Sequence, residues 1–406
     1  MKCRHCRSDL RLPFIDLGTS PPSNAYLTRE QLCMPEKRYP LRVLVCENCW
    51  LVQTEDYVKA QELFTDQYAY FSSVSSTWLN HARDYVATIC DRLRLGPQSL
   101  VAEIAANDGY LLQYVQQRQI PCYGVEPTGS TAAAARAKGI PIVEAFFGKE
   151  LASELANKGQ CADLIVANNV LAHVPDINDF TAGIAVLLKP NGVATFEFPY
   201  LLNLIRENQF DTIYHEHYSY YSLTAVSRIL HSNGLRVVDM EQLPTHGGSL
   251  RVFAQRNGSA EPAKAVEAML ANEQNVGVAT SALYTGFQEQ AEGVKASLLS
   301  FLREQKATGR KVGGYGAAAK GNTLLNFAGV HGDLLQYVAD RNAMKEGKYL
   351  PGSHIPIVNQ SHLIADRPDW ILVLPWNLRS EIEEQLAVAR QWGCRFVQAI
   401  PKLVIS

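Results

Sequence analysis

Between residues 100 and 255, short apolar runs alternate with amphipathic segments of helical periodicity. The apolar runs predict five β-strands, over residues 100–105, 122–126, 140–144, 163–168 and 192–198. Strands that are separated by helices predict right-handed crossovers and a parallel sheet. Because such sheets bind ligands at the carboxyl ends of their strands, the turns after these strands are candidate ligand sites.

A second α/β pattern follows a helical stretch. Residues 260–303 are rich in alanine and poor in turn residues, which predicts a connector of one or two long helices. Residues 311–315 then predict a strand that leads through a glycine turn into a helix, and residues 337–340 and 370–375 predict further buried strands. The sequence therefore predicts an α/β protein with two Rossmann-like domains.

The first seventy residues follow neither pattern. Cys3 and Cys6 form one CxxC pair, and Cys46 and Cys49 form a second. Two such pairs can supply four thiolates to one tetrahedral Zn²⁺ and leave no open position for water, so we predict one structural zinc site. The metal would stabilise a segment in which prolines interrupt any long helix. Four ordinary buried cysteines and a redox CxxC are the alternatives.

Composition narrows the functional classes. Apolar residues make up 47% of the chain and charged residues 19%, which predicts large cores and excludes a disordered chain. The net charge of −2 lacks the basic excess that is typical of nonspecific nucleic-acid binding. No apolar run is long enough for a membrane span and the N-terminus lacks a signal peptide's apolar core, so we expect a cytoplasmic protein.

The turns after the first two strands favour S-adenosylmethionine over a dinucleotide as cofactor. Glu126 ends the second strand, where an acid can accept hydrogen bonds from ribose hydroxyls in either kind of site. The turn from Glu103 to Gly109 has a single glycine, unlike the G-x-G-x-x-G of a pyrophosphate site. Asp108 in this turn would repel a pyrophosphate but suits a cationic methionyl group. The candidate cofactor-binding residues are Glu103, Ala105, Asn107, Asp108, Glu126, Pro127, Asn168 and Asn169.

Several segments occur in an order that resembles a known family. They are the paired CxxC motifs, EIAANDGYLL, YGVEP, ADLIVANNVLAHVPD, FEFPYL, YHEHYSYYS, HGGSLR and GYGAAAKGNTLLN. Over nearly its whole length the chain is similar to the sugar C-methyltransferases. This resemblance implies a methyltransferase that uses S-adenosylmethionine and acts on C3 of a nucleotide-linked 4-keto-6-deoxy sugar, in branched deoxysugar biosynthesis. Similar enzymes usually have glycine where this sequence has Ala105, whose methyl group is expected to crowd the cofactor carboxylate.

The resemblance also assigns tasks to the predicted domains. Residues 1–75 form the zinc-binding domain, and residues 76–258 form a class I methyltransferase domain with a Rossmann-like fold. Residues 259–308 are the helical connector. Residues 309–406 form a C-terminal Rossmann-like domain that binds the nucleotide-sugar, because similar enzymes place this substrate between the middle and C-terminal domains.

Methylation of carbon requires a carbanion equivalent. The C3 proton of a 4-keto sugar lies next to a carbonyl, so its removal gives an enediolate that can attack a methyl group. The reaction needs a base, a donor to the developing oxyanion and close alignment. We predict His217 as the base, which matches the proposed base of similar enzymes, Glu216 as the group that orients it, and Tyr214 as a donor to the oxyanion or a sugar hydroxyl. A second metal site at His215 and His217, or a merely structural cluster, are the alternatives.

Other candidate residues flank this segment. His173 follows the fourth strand, where Rossmann methyltransferases place residues against the cofactor and substrate, although a lone histidine is more often structural. By similarity Tyr68 caps the substrate. The same stretch of aromatics and hydroxyls could instead cap the helix that starts near Thr77.

The C-terminal third adds a candidate diphosphate site. Small residues after the strand at 311–315 would leave bare amides at a helix N-terminus, and Lys320 would add a positive charge. A plain strand–helix turn is the alternative there, as is an ordinary hairpin turn at residues 246–249. The candidate substrate-binding residues are Tyr70, His246, Gly247, Gly248, Tyr315, Lys320, Asn322 and His354.

Two other functions stay open at this point. One is a methyltransferase that acts on oxygen or nitrogen of another small molecule. Such a nucleophile needs less activation than the Tyr214–His217 cluster offers. A non-catalytic zinc-ribbon protein that binds RNA or a partner is disfavoured by the near-zero net charge and by intact Asp108, Glu126 and His217. We therefore expect a monomeric enzyme that binds a nucleotide-activated 4-keto-deoxysugar and binds neither nucleic acid nor membranes.

Overall fold

The computed structural model describes residues 1–58, 62 and 71–406. Tyr68 and Tyr70, which are predicted to contact the substrate, lie outside the described residues. Three β-sheets organise the chain, and helices cover or connect them. The predicted α/β fold class is confirmed. Among the described residues, no helix combines the length and apolar character that a bilayer crossing requires.

The N-terminal sheet contains a strand from the middle of the chain. Its first three strands are antiparallel and are β1 (Leu12–Ser20), β2 (Tyr39–Val45) and β3 (Val52–Thr54). The fourth is β9 (Ser219–Tyr220), which pairs antiparallel with β3 to give the order β1-β2-β3-β9. The sheet of the zinc-binding domain is therefore completed by the residues that directly follow the predicted acid–base segment.

The middle domain is built on a seven-stranded sheet. Its strands are β4 (Val101–Ile104), β5 (Cys122–Val125), β6 (Ile142–Val143), β7 (Ala162–Asn168), β8 (Leu188–Pro199), β10 (Leu235–Leu243) and β11 (Ser249–Arg256). They lie in the order β10-β11-β8-β7-β4-β5-β6. Strands β4 to β8 are parallel, as predicted. The five predicted strands did not include β10 and β11, whose antiparallel hairpin extends the sheet beside β8; a hairpin turn at residues 246–249 was the alternative there.

Helices pack on this sheet through apolar stripes. They are α1 (Ser76–Leu93), α2 (Leu112–Gln117), α3 (Gly129–Ala137), α4 (Lys149–Asn157), α5 (Ile177–Leu187), α6 (Leu201–Arg206) and α7 (Leu223–Ser232). In α1, Trp78, Ala82, Tyr85 and Ile89 recur at helical spacing and are buried. The hydroxyl of Ser75 accepts the N–H of Trp78, so a serine of the aromatic–hydroxyl stretch does cap this helix.

The connector consists of two helices, α8 (Lys264–Val276) and α9 (Phe287–Ala307). In α8 the buried carboxylate of Glu273 accepts the N–H groups of Leu223 and Thr224, both at 2.7 Å, at the start of α7. These bonds satisfy helix amides that have no partner within α7, so they attach the connector to the middle domain.

The C-terminal domain contains a six-stranded sheet. Its strands are β12 (Val312–Tyr315), β13 (Val338–Ala339), β14 (Ile357–Val358), β15 (Trp370–Val373), β16 (Arg395–Gln398) and β17 (Val404–Ile405). Its helices are α10 (Ala319–Ala328), α11 (Gln360–Asp366) and α12 (Arg379–Gln385). The strand order is β14-β13-β12-β15-β16-β17, and only the β16–β17 pair is antiparallel.

One apolar core joins the N-terminal sheet, the connector and the C-terminal domain. Phe14 of β1 stacks on Phe287 of α9 with ring centroids 4.4 Å apart. Phe210 of the middle domain packs edge-on against Phe327 of α10 at 5.3 Å. Because Phe210 immediately precedes the predicted acid–base segment, this segment lies where all three parts of the chain meet.

Candidate active site and zinc centre

The four predicted zinc ligands lie together. The Sγ atoms of Cys3, Cys6, Cys46 and Cys49 are all within 4.8 Å of one another. Those of Cys3 and Cys49 are 3.5 Å apart, and those of Cys6 and Cys46 are 3.4 Å apart. Zinc–sulfur bonds of about 2.3 Å in a tetrahedron separate the sulfurs by about 3.8 Å, so this donor set fits Zn²⁺. The four cysteines form a structural zinc site, as predicted.

Strand β3 links this zinc site to the acid–base segment. The side-chain amide of Gln53 donates to the Sγ atom of Cys3 at 3.3 Å, a contact that orients a zinc ligand. The next residue, Thr54, donates its hydroxyl to the carbonyl of His217 at 3.2 Å and its N–H to the carbonyl of Tyr218 at 3.1 Å. The backbone of the acid–base segment is thus held by a strand whose other contacts reach the metal.

Arg4, which lies between two zinc ligands, makes a second link. Its buried guanidinium donates to the carbonyls of Thr54 at 3.0 Å and Pro175 at 3.2 Å and pairs with Asp56. It also lies over the ring of Tyr218, 4.8 Å from the ring centroid. Arg4 therefore connects the zinc site to β3, to the loop at Pro175 and to Tyr218 of the acid–base segment.

The predicted cofactor turn after β4 has an unusual backbone. Ala105 and Asn107 have φ angles of 59° and 50°, in the left-handed region that glycine adopts most easily. The positive φ at this position explains why glycine, which similar enzymes usually have in place of Ala105, suits it better. An alanine in this conformation costs roughly 1–2 kcal/mol, which adds strain to the crowding expected from its methyl group.

Glu126 stabilises this turn. One carboxylate oxygen accepts the N–H of Asn107 at 2.9 Å, and the other accepts the N–H of Thr128 at 3.0 Å and the hydroxyl of Thr131 at 3.1 Å. A carboxylate offers about four acceptor positions, so most of this one's capacity is used within the protein. The sequence predicted only a ribose acceptor here and missed the contact with the turn. Pro127 follows Glu126 and is half-buried.

Several buried polar atoms at the carboxyl ends of β4 and β7 have no partner among the described residues. They are Oε2 of Glu103, Oδ1 of Asp108, Oδ1 of Asn168 and Nδ2 of Asn169. Buried polar atoms are nearly always paired in folded proteins, so this edge of the sheet suits a polar ligand. Burial, with the carboxylates of Asp108 and Glu126 nearby, raises the pKa of Glu103 well above its usual range. An acidic edge of this kind fits the cationic methionyl group of S-adenosylmethionine.

His217 is fixed at both ring nitrogens. Its Nδ1 donates to the carbonyl of Thr212 at 2.8 Å, so its Nε2 accepts the hydroxyl of Tyr214 at 2.7 Å. Burial and the neighbouring imidazole of His173 hold the pKa of His217 well below its usual range. His217 is therefore neutral at neutral pH. The prediction that Glu216 orients this ring is wrong, because the backbone carbonyl of Thr212 does so.

Glu216 points away from His217. Its Oε1 accepts the side-chain amide of Asn24, a residue of the zinc-binding domain, at 3.2 Å, and its Oε2 has no partner among the described residues. The side chain is 1% exposed, and burial raises its pKa to about 7. A carboxyl group with this pKa exchanges protons readily at neutral pH.

The two flanking histidines have different partners. His173 donates from Nδ1 to the carbonyl of Glu216 at 2.8 Å, and its ring lies 4.7 Å from that of His217. His173 thereby connects the end of β7 to the acid–base segment. His215 donates from Nε2 to the carbonyl of Pro40 at 3.2 Å. In the part of the chain that is described, only the four cysteines form a metal-binding cluster, so nothing supports a second metal site at His215 and His217.

The predicted sugar-binding turn at residues 246–248 joins β10 to β11 and contacts the C-terminal domain. His246 has a φ of 55° and lies 5.0 Å from the Trp78 ring centroid. Gly247 has a φ of 90°, and a Cβ there would lie 2.3 Å from the indole of Trp376. Gly248 has a φ of 107° and leaves room for Asn203. The turn is thus more than a solvent-exposed hairpin, and glycine is required at both positions.

The first turn of α10 faces the middle domain. The ammonium of Lys320 lies 4.7 Å from the Trp376 ring centroid and 3.3 Å from Oδ1 of Asn377. Burial lowers the pKa of Lys320. The indole N–H of Trp376 donates to Asp211 at 2.8 Å, and burial raises the pKa of Asp211 to about 6. Both side-chain polar atoms of the buried Asn322 lack partners among the described residues.

Two of the predicted substrate-binding residues in the C-terminal domain do not lie with Lys320. Tyr315 is buried in the core of its domain and its hydroxyl donates to Gln360 at 3.2 Å. His354 lies on an exposed loop, and its Nε2 is 3.2 Å from the carboxylate of Glu36 in the zinc-binding domain. Neither side chain hydrogen-bonds to Lys320.

Sequence reasoning missed Asn24, Asp211 and Trp376. Each meets its partner across a domain boundary: Asn24 is separated from Glu216 by 192 positions, and Trp376 from Asp211 by 165. No local spacing encodes such a pair. The only signal near Asn24 is the preceding Pro21-Pro22 turn, which the sequence analysis treated as a helix breaker.

Comparisons with known proteins now decide the family. Residues 3–64 match the model of the "Putative zinc binding domain", residues 78–240 match the "Methyltransferase domain", and residues 244–401 match the "C-methyltransferase C-terminal domain". The chain is 35% identical over 402 residues to the C-methyltransferase NovU of Streptomyces niveus, covering 99% of this chain and 96% of the relative. The chain belongs to the C-methyltransferase family. It is an S-adenosylmethionine-dependent C-methyltransferase with an N-terminal zinc-binding domain.

Solved structures resemble parts of this C-methyltransferase. Magnesium protoporphyrin IX methyltransferase from Synechocystis PCC 6803 is 16% identical and matches 50% of this chain and 86% of its own, with a TM-score of 0.35. The PH0226 protein from Pyrococcus horikoshii OT3 is 12% identical and matches 47% of this chain and 95% of its own, with a TM-score of 0.39. At these TM-scores the likenesses do not bear on the family assignment.

Replacing a zinc ligand tests the metal centre. We expect the purified protein to contain about one zinc per chain and Cys46→Ser to lose it. Because zinc binding is coupled to folding of small domains, the variant should also lower the melting temperature. Elemental analysis and thermal denaturation measure both effects. Cys33→Ser is the matched control, since Cys33 is exposed and outside the cluster; equal zinc in Cys46→Ser and in this control would contradict the assignment.

Proposed function

We propose that this C-methyltransferase deprotonates C3 of a nucleotide-linked 4-keto-6-deoxy sugar and methylates the resulting enediolate, as a step in branched deoxysugar biosynthesis. One observation carries the proposal. Glu216 and His217 are adjacent, and burial moves their pKa values in opposite directions, to about 7 for Glu216 and well below the usual range for His217. Such a pair supplies a neutral acid and a neutral base at the same pH.

The neutral base is His217. A proton that leaves C3 reaches its Nε2 atom through the hydroxyl of Tyr214, which already donates to that nitrogen. The C3–H electron pair moves toward the C4 carbonyl as the proton leaves. The hydrogen bond from Nδ1 to the carbonyl of Thr212 holds the ring in the required tautomer and stabilises the imidazolium that forms.

The neutral acid is Glu216. In its protonated form Glu216 donates a hydrogen bond from Oε2, which has no partner among the described residues, to the C4 oxygen, where negative charge develops as C3 is deprotonated. The proton stays on Glu216 when the carbonyl is restored. S-adenosylmethionine, when bound, supplies an electrophilic methyl group to which C3 bonds as the methyl–sulfur bond breaks. The C4 carbonyl is then restored, and the proton on His217 returns to solvent.

The remaining predicted residues align the reactants. Asp108, Asn168 and Asn169 would hold the cofactor through polar atoms that have no partner among the described residues, and Glu126 maintains the turn that presents Asp108. His173 spans the distance from this edge to the backbone of Glu216. Such alignment is needed because C3 must attack the methyl carbon in line with the methyl–sulfur bond.

The nucleotide would lie against the C-terminal domain. Lys320 lies beside Asp211 and burial lowers its pKa, so a diphosphate at the start of α10 would favour its charged form. Asn322 offers an amide whose two polar atoms have no partner within the described ranges and could bind a nucleotide group. The turn of His246, Gly247 and Gly248 would form the opposite wall, since Gly247 packs against Trp376 of this domain. Tyr315 and His354 have partners of their own and are assigned no direct role.

Solvent exchange tests the enediolate step. Incubation of the enzyme in deuterated water with S-adenosylhomocysteine and a panel of nucleotide-linked 4-keto-6-deoxy sugars should give deuterium at C3 of one of them, read by mass spectrometry. The same sugar should gain one methyl group when S-adenosylmethionine replaces S-adenosylhomocysteine. A panel with neither exchange nor methylation would contradict the proposal.

Single substitutions separate the acid from the base. His217→Asn should lower kcat by about 10²–10⁴-fold because it removes the base, while S-adenosylmethionine still binds. Wild-type kcat should decline as the pH rises through about 7, because Glu216 loses the proton that it donates. Glu216→Gln keeps a donor but cannot ionise, so its kcat should no longer show this decline. A decline that persists in Glu216→Gln would remove Glu216 as the acid.

A further inference from the structure

A residue of the zinc-binding domain contacts the predicted acid. Asn24 belongs to the loop between β1 and β2 and donates from Nδ2 to Oε1 of Glu216 at 3.2 Å. Asn24 lies 192 positions before Glu216 in the chain. Neither the zinc site nor the family motifs account for this contact.

The C-terminal domain holds Asn24 in place through Tyr26. The hydroxyl of Tyr26 lies 3.4 Å from Oδ1 of Asn24 and donates to the carbonyl of Ala317 at 2.7 Å. Lys345 lies over the ring of Tyr26, 5.2 Å from its centroid, and donates to the same Ala317 carbonyl at 2.7 Å. In the structure Nδ2 of Asn24 faces Glu216 and Oδ1 faces the Tyr26 hydroxyl.

This arrangement distinguishes the two oxygens of the carboxyl group. An amide nitrogen can only donate, so Oε1 of Glu216 must accept and cannot carry the proton. A proton on Glu216 therefore resides on Oε2, the oxygen with no partner among the described residues. We propose that Asn24 is a positioning residue, which directs the proton of Glu216 toward the substrate. The inference rests on the proposed function, in which that proton is donated to the C4 oxygen.

Among the described residues, two groups donate hydrogen bonds to the carboxyl group of Glu216: the backbone of Glu216 itself and Asn24. The titratable groups that interact with its carboxyl group are Tyr218, Tyr220 and Tyr26. Of the two nearby histidines, His173 contacts the backbone carbonyl of Glu216 and His217 is the next residue in the chain. Burial lowers the pKa of both histidines and raises that of all three tyrosines, so all five are neutral near pH 7. Hydrogen bonds from Asn24 lower the pKa of Glu216 and partly offset the effect of burial.

The pH dependence of kcat tests this inference. Asn24→Ala removes a hydrogen bond to the ionised carboxylate, so the decline in kcat near pH 7 should move up by about one pH unit. The plateau at lower pH should fall about tenfold to a hundredfold, because the proton is no longer directed to Oε2. Asn24→Asp has nearly the same shape and adds a negative charge, so its decline should move further up. Asn275→Asp makes the same change on the exposed face of α8 and should leave the profile unchanged.

The outcomes separate this inference from the proposed function. A decline that stays at the wild-type pH in both Asn24 variants would overturn the inference, even if kcat falls, because a merely structural residue lowers kcat at every pH equally. A decline that persists in Glu216→Gln would instead overturn the proposed acid. Zinc content and S-adenosylmethionine binding verify that each variant is folded.

A third variant keeps the test available if both Asn24 variants lose their zinc. Tyr26→Phe leaves Asn24 intact but removes the hydroxyl that faces its Oδ1 atom. The amide should then turn more freely, and the decline should move to higher pH by less than in Asn24→Ala. An unshifted decline in Tyr26→Phe with full zinc content would count against the inference.

Discussion

The antiparallel pairing of β3 with β9 is the contact on which the proposed active site depends. Val52 lies opposite Tyr220 and Gln53 lies opposite Ser219. A strand of the zinc-binding domain is therefore paired with the backbone that follows His217. The pair is only two residues long, and such a short ladder is marginal by itself. The zinc site reinforces it, because Gln53 also donates to the ligand Cys3. The metal thus stabilises the site without any part in the chemistry.

The same junction determines the protonation states of the site. Apolar side chains from three parts of the chain exclude water around residues 210–217, and loss of hydration disfavours the charged form of every group there. An acid then keeps its proton and a base stays neutral, which is the combination that enolisation next to a carbonyl requires. In open solvent the glutamate would be ionised at neutral pH and could not act as an acid. Burial by domain assembly therefore does the tuning that the chemistry needs.

The sequence predicted the fold and the zinc site well because both have local signals. Apolar runs of strand length located the parallel strands of the middle sheet, and the CxxC spacing identified Cys3, Cys6, Cys46 and Cys49 as ligands. The acid–base segment is a prediction that the sequence also offered, since Tyr214, Glu216 and His217 lie close together in the chain. Their partners were not found. The contacts of His217 with the Thr212 carbonyl and of Glu216 with Asn24 depend on tertiary packing, which leaves no period or spacing in the sequence.

The central claim is that the methyl group is transferred to a sugar carbon next to a carbonyl. Reaction of a nucleotide-linked 4-keto-6-deoxy sugar with S-adenosylmethionine labelled with carbon-13 in its methyl group, followed by NMR of the product, tests it most directly. The account predicts a one-bond coupling between the labelled methyl carbon and C3, with no proton left on C3. A labelled carbon attached to oxygen or nitrogen would contradict the account.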